Sequence, residues 1–226
     1  MSQFFVIDGT DGSGKGTQVS LLEKRLKDAG HDVLVVDFPQ YGNKSAALVE
    51  EYLNGAFGSA SEVTPYQASV FYAADRFAAK GNMQKHLDSG GIILSNRYVS
   101  GNQIHQSGKI KDRSELDRFL TWLDHFEYEL MNIPRPDHVF FLDVPPWISD
   151  TLVEGKESRS YIENGKTKDI HEADPQHIQD AYDRAKELVK RYDEWESVSC
   201  VRDSHMRTRE DIRDELYQKI TDYIGR

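Results

Sequence analysis

The chain has 226 residues, of which 38% are hydrophobic and 29% charged. This balance fits one soluble α/β domain with a full core, and it excludes a chain that is mainly disordered. No run approaches the length of a membrane span and no signal-peptide pattern opens the chain, so we expect a cytoplasmic protein without membrane contact. The formal charge of −10 argues against nucleic-acid binding.

Helical patterns alternate with short apolar runs along the whole chain. This order predicts an α/β fold with a parallel sheet. No repeat or linker rich in Pro, Gly or Ser divides it, so we expect a single domain over residues 1–226. We predict strands near 3–8, 32–37, 91–95, 138–143 and 198–201, and helices near 15–29, 65–88, 114–131, 175–193 and 208–224.

The segment 9–17, between the first strand and the first helix, contains the pattern Gly-x-x-x-x-Gly-Lys. Its glycines let successive backbone N–H groups face phosphate oxygens, and its lysine reaches the β- and γ-phosphates. The start of the helix adds a partial positive charge. The pattern predicts an ATP-binding phosphate loop formed by Gly9, Gly12, Ser13, Gly14, Lys15, Gly16 and Thr17.

One position of this loop departs from its commonest form. Gly16 stands where a Ser or Thr usually ligates magnesium, and a hydroxyl arrives one residue later at Thr17. We therefore expect Thr17 to hold the ion through water. The spelling Gly-Lys-Gly-Thr-Gln resembles the loop of adenylate kinases, although the rest of the chain indicates another family.

A long polar stretch, residues 154–173, lacks helical or strand periodicity. Such a stretch inside a compact domain is typical of a lid over an active site. The single cysteine, Cys200, excludes an internal disulfide and a cysteine-based metal cluster. It lies in an apolar run, which favours a buried thiol without a catalytic role.

Four further segments lie at, or face, the carboxyl ends of the predicted strands, where open α/β sheets bind ligands. They are Asp37-Phe38-Pro39-Gln40-Tyr41, Phe71–Phe77, Ser95-Asn96-Arg97-Tyr98 with Asn102-Gln103, and Phe140–Pro146. Together with the loop and the polar stretch, this order resembles the thymidylate kinase family, which phosphorylates dTMP with ATP. The resemblance spans the chain and implies a P-loop NTPase-type three-layer fold, a five-stranded parallel sheet, a lid, Mg²⁺ as cofactor and a homodimer.

The resemblance also implies roles in phosphate binding. Lys15 would bridge the ATP phosphates, and Asp11 would receive the 3′-hydroxyl of the acceptor, the alternative for Asp11 being a carboxylate that only stabilises the loop. Arg97 would clamp the acceptor phosphate with a planar, bidentate guanidinium.

The acceptor base would be held by a second group of residues. Phe38 and Pro39 would form a wall, Tyr72 would stack on the pyrimidine and Arg76, one helical turn later, would reach its carbonyl edge, with Gln103 reading the base beside it. Alternatively, Phe38 and Pro39 would form an ordinary hydrophobic wedge and Tyr72 would be a core aromatic. Arg76 could instead pair with a carboxylate, and Gln103 could face solvent.

Three positions depart from the family pattern. Asn96 replaces an aspartate, so it offers magnesium only an amide oxygen, and the ion would be held mostly by phosphates and water with Asp8 or Asp143 in its outer shell. His105 stands where the family often has a tyrosine near the sugar. The loop lacks the family's extra arginine, and Arg159 is the first candidate to replace it as a catalytic cation, ahead of three lysines, Lys156, Lys166 and Lys168.

The implied activity is direct in-line phosphoryl transfer from ATP to dTMP, which forms dTDP for dTTP biosynthesis. Two alternatives stay open from the residues. One is a kinase for another nucleoside monophosphate or a deoxynucleoside, favoured by the adenylate-kinase-like loop and by Asn96. The other is a catalytically silent nucleotide-binding protein.

Overall fold

A computed structural model of the chain describes residues 2–148 and 174–225. The strands are β1 (Gln3–Asp8), β2 (Val33–Asp37), β3 (Ile92–Asn96), β4 (His138–Asp143) and β5 (Trp195–Ser199), followed by a small antiparallel hairpin of β6 (Val201–Arg202) and β7 (His205–Met206). The first five form one sheet in the order β2-β3-β1-β4-β5, with every neighbouring pair parallel.

The helices are α1 (Lys15–Asp28), α2 (Ala47–Leu53), α3 (Pro65–Asp88), α4 (Val99–Gly108), α5 (Arg113–Asp124), α6 (Pro175–Arg191) and α7 (Arg209–Ile224). A 3₁₀ turn, Lys44–Ala46, leads into α2, and a π-helical segment, His125–Leu130, continues α5. Thr64 accepts a hydrogen bond from the Gln67 N–H and Gln67 bonds back, so a complete capping box starts α3. No helix among the described residues is long and apolar enough to cross a membrane.

The sheet is buried on both faces, because successive side chains of a strand point in opposite directions. On one face, Phe4 and Val6 belong to a core cluster with residues of α3, α4, α5 and α6. On the other face, Phe5 and Ile7 pack with residues of α1 and α7. The predicted three-layer fold with a five-stranded parallel sheet is confirmed.

The bounds of β1, β4 and α3 match the prediction. The prediction of the last strand was shifted: β5 begins at Trp195, because polar Glu196 and Ser197 on this edge strand interrupt the apolar pattern. Two helices, α2 and α4, were not predicted. The helix predicted over 114–131 is present as α5 and the π-helical segment that continues it, in which Glu127 lies in the interior. The predicted lid, 154–173, lies outside the described residues.

Candidate active site

The predicted phosphate loop joins β1 to α1 at the carboxyl edge of the sheet. A Cβ on Gly9 would lie 2.6 Å from Ser13 Oγ and 3.1 Å from the Leu142 carbonyl oxygen, so a side chain at this position would collide with the loop and with β4. Gly14 adopts φ +88°, a left-handed conformation that favours glycine, directly before α1. The loop therefore depends on glycine at both positions.

Lys15 is folded over the loop. Its Nζ donates hydrogen bonds to the carbonyl oxygens of Gly9 and Thr10, both at 2.9 Å. The buried hydroxyls of Thr10 and Ser13 have no hydrogen-bond partner among the described residues. Because a buried hydroxyl needs a hydrogen-bond partner, these two hydroxyls are suited to donate to phosphate oxygens bound in the loop.

Arg97 lies between this loop and a neighbouring pocket. It follows β3 with φ +62°, an uncommon conformation for a non-glycine residue, and its backbone N–H donates to the Ile7 carbonyl at 3.1 Å. Its Nη2 donates to Asp11 Oδ1 at 2.5 Å, and its Nε lies 4.0 Å from Asp8 Oδ1. Desolvation alone would lower the pKa of the guanidinium, but Asp11 and Asp8 outweigh it, so the pKa is raised and Arg97 keeps its charge.

Two carboxylates proposed for the outer shell of magnesium already have partners. Asp8 accepts hydrogen bonds from Ser100 Oγ at 2.5 Å and from the Gly9 N–H at 2.7 Å. Asp143 accepts from Tyr182 OH at 2.7 Å and pairs with Lys186. Both carboxylates therefore hold parts of the protein together at the edge of the sheet.

Six of the predicted substrate-binding residues meet in one pocket beside the loop: Asp11, Phe38, Pro39, Tyr72, Arg76 and Arg97. Phe38 is buried and packs against Tyr98, with ring centroids 5.6 Å apart. Sequence reasoning did not assign Tyr41, Leu53, Tyr98, Gly101, Asn102 and Gln106, which also line this pocket. Its apolar wall with few polar groups is typical of a small-molecule site.

The wall at Phe38 and Pro39 is held by Asp75 of α3. This buried carboxylate accepts hydrogen bonds from the Gln40 N–H at 2.8 Å, from Gln40 Nε2 at 3.0 Å and from Ser45 Oγ at 2.6 Å. Asp75 therefore fixes the segment after β2 against α3. Its neighbour Arg76 has a different partner, which was among the alternatives open from the sequence.

Arg76 forms a two-point ion pair with Glu127 and donates from Nη1 to the Tyr98 carbonyl at 3.1 Å. These bonds use three of the five N–H groups of a guanidinium. Arg76 lines the pocket, and its hydrogen bonds to Glu127 and to the Tyr98 carbonyl fix its position there. The structure thus combines the predicted pocket position with the alternative of an arginine paired with a carboxylate.

The structure gives no support to the prediction that Gln103 reads the base. Gln103 lines a different cavity, of about 440 Å³, on the other side of α4 with Tyr128 and Trp195. The residues of α4 that line the pocket are Gly101, Asn102, His105 and Gln106, at the spacing of one helix face. That spacing was visible in the sequence, but it carried no signal without the prediction of α4.

His105 stacks on His177 at the start of α6, with ring centroids 5.6 Å apart. Burial, and then the charge of Arg97, lower the pKa of His105 well below its ordinary value. Burial, and then Lys109, lower the pKa of His177 to about 4. Both rings are therefore neutral near pH 7, and the pocket presents an uncharged imidazole.

Oxygen donors for a cation lie at the ends of β2 and β3. Asn96 Nδ2 donates to Asp37 Oδ1 at 2.9 Å, while Asn96 Oδ1 is buried without a partner among the described residues. Desolvation raises the pKa of Asp37, although Arg97 and the amide of Asn96 act in the opposite direction. Within the described residues no group of three His, Cys, Asp or Glu side chains could enclose a metal.

A phosphate loop after the first strand, a parallel sheet in this order and an arginine between the loop and a second pocket define a P-loop nucleotide-binding protein of the kinase type. The thymidylate kinase family model matches residues 7–205. The chain therefore belongs to the thymidylate kinase family of ATP-dependent nucleoside monophosphate kinases.

Curated relatives agree with this assignment. The thymidylate kinase of Mycobacterium tuberculosis (strain ATCC 25618 / H37Rv) is 28% identical over 170 residues, covering 74% of this chain and 77% of the relative. That of Bifidobacterium longum (strain DJO10A) is 30% identical over 162 residues, covering 70% and 75%. That of an Exiguobacterium species is 26% identical over 202 residues, covering 88% and 90%.

A solved structure of thymidylate kinase from Candida albicans has the same fold. It superposes with a TM-score of 0.73 and 19% sequence identity, covering 98% of this chain and 92% of the other. Broad substrate specificity is attributed to that Candida albicans protein. The predicted family is thus confirmed.

Proposed function

We propose that this protein transfers the γ-phosphoryl group of ATP to dTMP, forming dTDP and ADP. The observation that carries the proposal is the position of Arg97, which lines the pocket beside the loop, here called the acceptor pocket, and also donates a hydrogen bond to Asp11 of the phosphate loop. One cation therefore stands between the two places that would hold phosphates. Family membership supports dTMP as the acceptor.

The geometry supports a mechanism based on alignment and charge neutralisation. Lys15 and the N–H groups of the loop would bind the donor phosphates, and Arg97 would bind the phosphate of dTMP. An oxygen of that phosphate attacks the γ-phosphorus, and the bond to the bridging oxygen of ADP breaks. The attacking oxygen is largely ionised at neutral pH, so no general base is needed.

The pyrimidine would lie between Phe38 and Tyr72. Asn102 and Gln106 provide amide groups for its hydrogen-bonding edge, and Arg76 retains N–H groups beyond those bound to Glu127 and Tyr98. Asp11 would receive the sugar 3′-hydroxyl, beside His105 in the same pocket. Neutral polar groups at the base and cations at the phosphate suit a nucleoside monophosphate.

The residues present fit a magnesium ion that is bound mainly by nucleotide phosphates and water, since the available donors are oxygens and those in the described part of the chain form no closed cage. The ion would neutralise charge on the β- and γ-phosphates. Thr17, exposed in the first turn of α1, and the amide oxygen of Asn96 are the candidates to hold it through water.

A homodimer is part of this proposal. Val70 and Phe77 lie seven residues apart on one face of α3, and they are 43% and 49% exposed. An apolar stripe of this kind fits the α3 face of a second copy. Phe77→Asp should shift the protein to a monomer in sedimentation velocity, whereas Leu130→Asp, at another exposed apolar residue, should not.

The activity is tested by a coupled assay for ADP with dTMP, dUMP, dCMP, AMP, GMP and thymidine as acceptors. The proposal requires dTMP to give the highest kcat/KM. Lys15→Ala and Arg97→Ala should each lower turnover by about 100-fold or more, on the scale of lost transition-state donors. Arg202→Ala, in the exposed hairpin, is the matched control and should leave turnover unchanged.

Two results would contradict the proposal. Preference for another acceptor in the panel would assign the site to a different nucleoside monophosphate or to a nucleoside. Tight ATP binding without ADP formation from any acceptor would indicate a silent nucleotide-binding protein.

A further inference from the structure

Asp37, an exposed residue whose carboxylate is partly desolvated by its neighbours, lies beside the predicted donor site. Asp37 ends β2, Asn96 ends β3 and the two residues are partners in the register of the sheet. Asn96 is also the register partner of Ile7 in β1, the strand that leads into the phosphate loop. Asp37 therefore stands at the same edge of the sheet as the loop, two strands away.

The hydrogen bond between these residues fixes the orientation of the amide. Because Asp37 can only accept when ionised, the NH₂ group of Asn96 faces it at 2.9 Å and the amide oxygen must point elsewhere. That oxygen is buried without a partner among the described residues. A buried acceptor without a protein donor can accept a hydrogen bond from a water molecule bound to a ligand.

The amide also lies next to the first turn of α1. A Cβ on Gly16 would be 3.9 Å from Asn96 Nδ2, an ordinary contact distance. Residue 16 is the position at which this class of loop usually provides a hydroxyl for the metal. The pair formed by Asp37 and Asn96 thus borders the place where the chain lacks that hydroxyl.

The other carboxylates at this edge are bound to other groups. Asp11 pairs with Arg97, Asp8 accepts from Ser100, and Asp143 pairs with Lys186. Within the described residues, Asp37 forms its hydrogen bond with a neutral amide and no ion pair within 4.0 Å. Arg97 and Lys15 act on Asp37 electrostatically from beyond that distance, so its negative charge stays available to a cation at the donor site.

We propose that Asp37 supplies the carboxylate that holds the nucleotide-bound magnesium ion through its water shell, with Asn96 presenting its amide oxygen to the same shell. An acidic residue at position 96 would supply both the charge and an oxygen to this shell. Here the charge comes from Asp37 at the end of β2, and the oxygen comes from Asn96 at the end of β3. This inference rests on the donor site of the proposed function, but it does not depend on the identity of the acceptor.

The test measures Mn²⁺ binding to the complex with ADP by electron paramagnetic resonance, without any acceptor. Asp37→Asn should weaken Mn²⁺ binding about tenfold, the scale found for residues that support a metal from the outer shell. The affinity for ADP in EDTA should stay unchanged. Asp32→Asn is the matched control, because Asp32 lies at the opposite end of the same strand with its side chain 79% exposed.

A second variant separates a local charge effect from a general one. Adding Asn96→Asp to Asp37→Asn exchanges the two side chains of the hydrogen-bonded pair, so that the carboxylate stands at position 96. This double variant should restore most of the Mn²⁺ affinity. The inference is overturned if Asp37→Asn binds Mn²⁺ as tightly as the wild type, or if it loses as much affinity for ADP in EDTA as it loses for Mn²⁺. It is also overturned if the double variant keeps the wild-type melting temperature but does not regain Mn²⁺ affinity.

The experiment also distinguishes this inference from the proposed function. Wild-type protein that binds Mn²⁺ with ADP normally but does not phosphorylate dTMP would contradict only the acceptor assignment. Wild-type protein that binds no ADP would overturn the donor site and, with it, the role of Asp37.

Discussion

Arg76 of α3 and Glu127 of the π-helical segment form an ion pair closed off from solvent, with only 2% and 0% of their side chains exposed. Arg76 Nε donates to Glu127 Oε2 at 3.2 Å, and Nη2 donates to the other carboxylate oxygen. Because Arg76 also lines the proposed acceptor pocket, this pair connects the wall of the pocket to the π-helical segment.

Glu127→Gln should destabilise the protein by about 3 kcal/mol or more, because it leaves the guanidinium charge buried without a counterion. The free energy of unfolding in urea measures the effect. Glu129→Gln is the control, since Glu129 is exposed on the same turn, and it should change stability by less than about 0.5 kcal/mol. Similar values for the two variants would show that the pair does not stabilise the fold.

Asp75→Asn should raise the KM for dTMP more than it lowers kcat. The substitution replaces one carboxylate oxygen by an NH₂ group, which faces the N–H donors of Gln40 or the hydroxyl of Ser45. The wall at Phe38 and Pro39 then loses its fixed position, while Lys15 and the donor site remain in place. The KM for ATP should stay within about twofold.

The measurement is a steady-state titration of each substrate at saturation of the other. Asp88→Asn is the matched control, because Asp88 is exposed at the end of the same helix. A rise in the KM for ATP equal to that for dTMP would contradict the assignment of Asp75 to the acceptor wall.

The parts of the fold that local patterns determine were predictable from the sequence. The glycine loop, the proline and threonine at the start of α3 and the apolar strands each act over a few neighbouring residues. The missed helix α4 reads Val-Ser-Gly-Asn-Gln-Ile-His-Gln-Ser-Gly, with two glycines and five uncharged polar side chains. Eight of its residues are buried, so tertiary packing overrides its weak propensity.

The candidate site shows the same division. Lys15, Asp11 and Arg97 lie within or next to recognisable motifs, and they were predicted. The partner of Arg76 was not, because Glu127 lies 51 residues away along the chain and no local pattern connects them. Without α4 the sequence could not show which of Asn102 and Gln103 faces the pocket.

Asn102→Ala should weaken dTMP binding, whereas Gln103→Ala should not. The two residues are adjacent, yet Asn102 lines the acceptor pocket and Gln103 lines the cavity beside Trp195. Loss of a neutral hydrogen bond to the base should cost about 1 kcal/mol, or about fivefold in affinity. Isothermal titration with dTMP measures both variants, and a larger effect of Gln103→Ala would assign the base contact to the other face of α4.

The stacked pair of His105 and His177 should make the protein less stable in acid. Burial lowers the pKa of His177 to about 4, whereas an unfolded histidine titrates near 6.5. Between these values the unfolded chain binds a proton that the folded chain does not, so the free energy of unfolding rises with pH across this window. Stability is therefore lost as the pH falls from about 6.5 to about 4, by about 1.4 kcal/mol per pH unit for one proton.

His177→Gln should remove this slope in urea unfolding measured at intervals between pH 4.5 and 7. The contribution of His105, whose pKa is lowered by burial and by Arg97, remains in the variant. His205→Gln, at an exposed histidine in the hairpin, should keep the full slope of the wild type. If His177→Gln loses stability with the same slope as His205→Gln as the pH falls, then His177 contributes nothing to the slope. His177 would then bind its proton in the folded protein as it does in the unfolded chain. In that case acid would place a charge beside the ring that lines the acceptor pocket, and the KM for dTMP would change between pH 7 and pH 5.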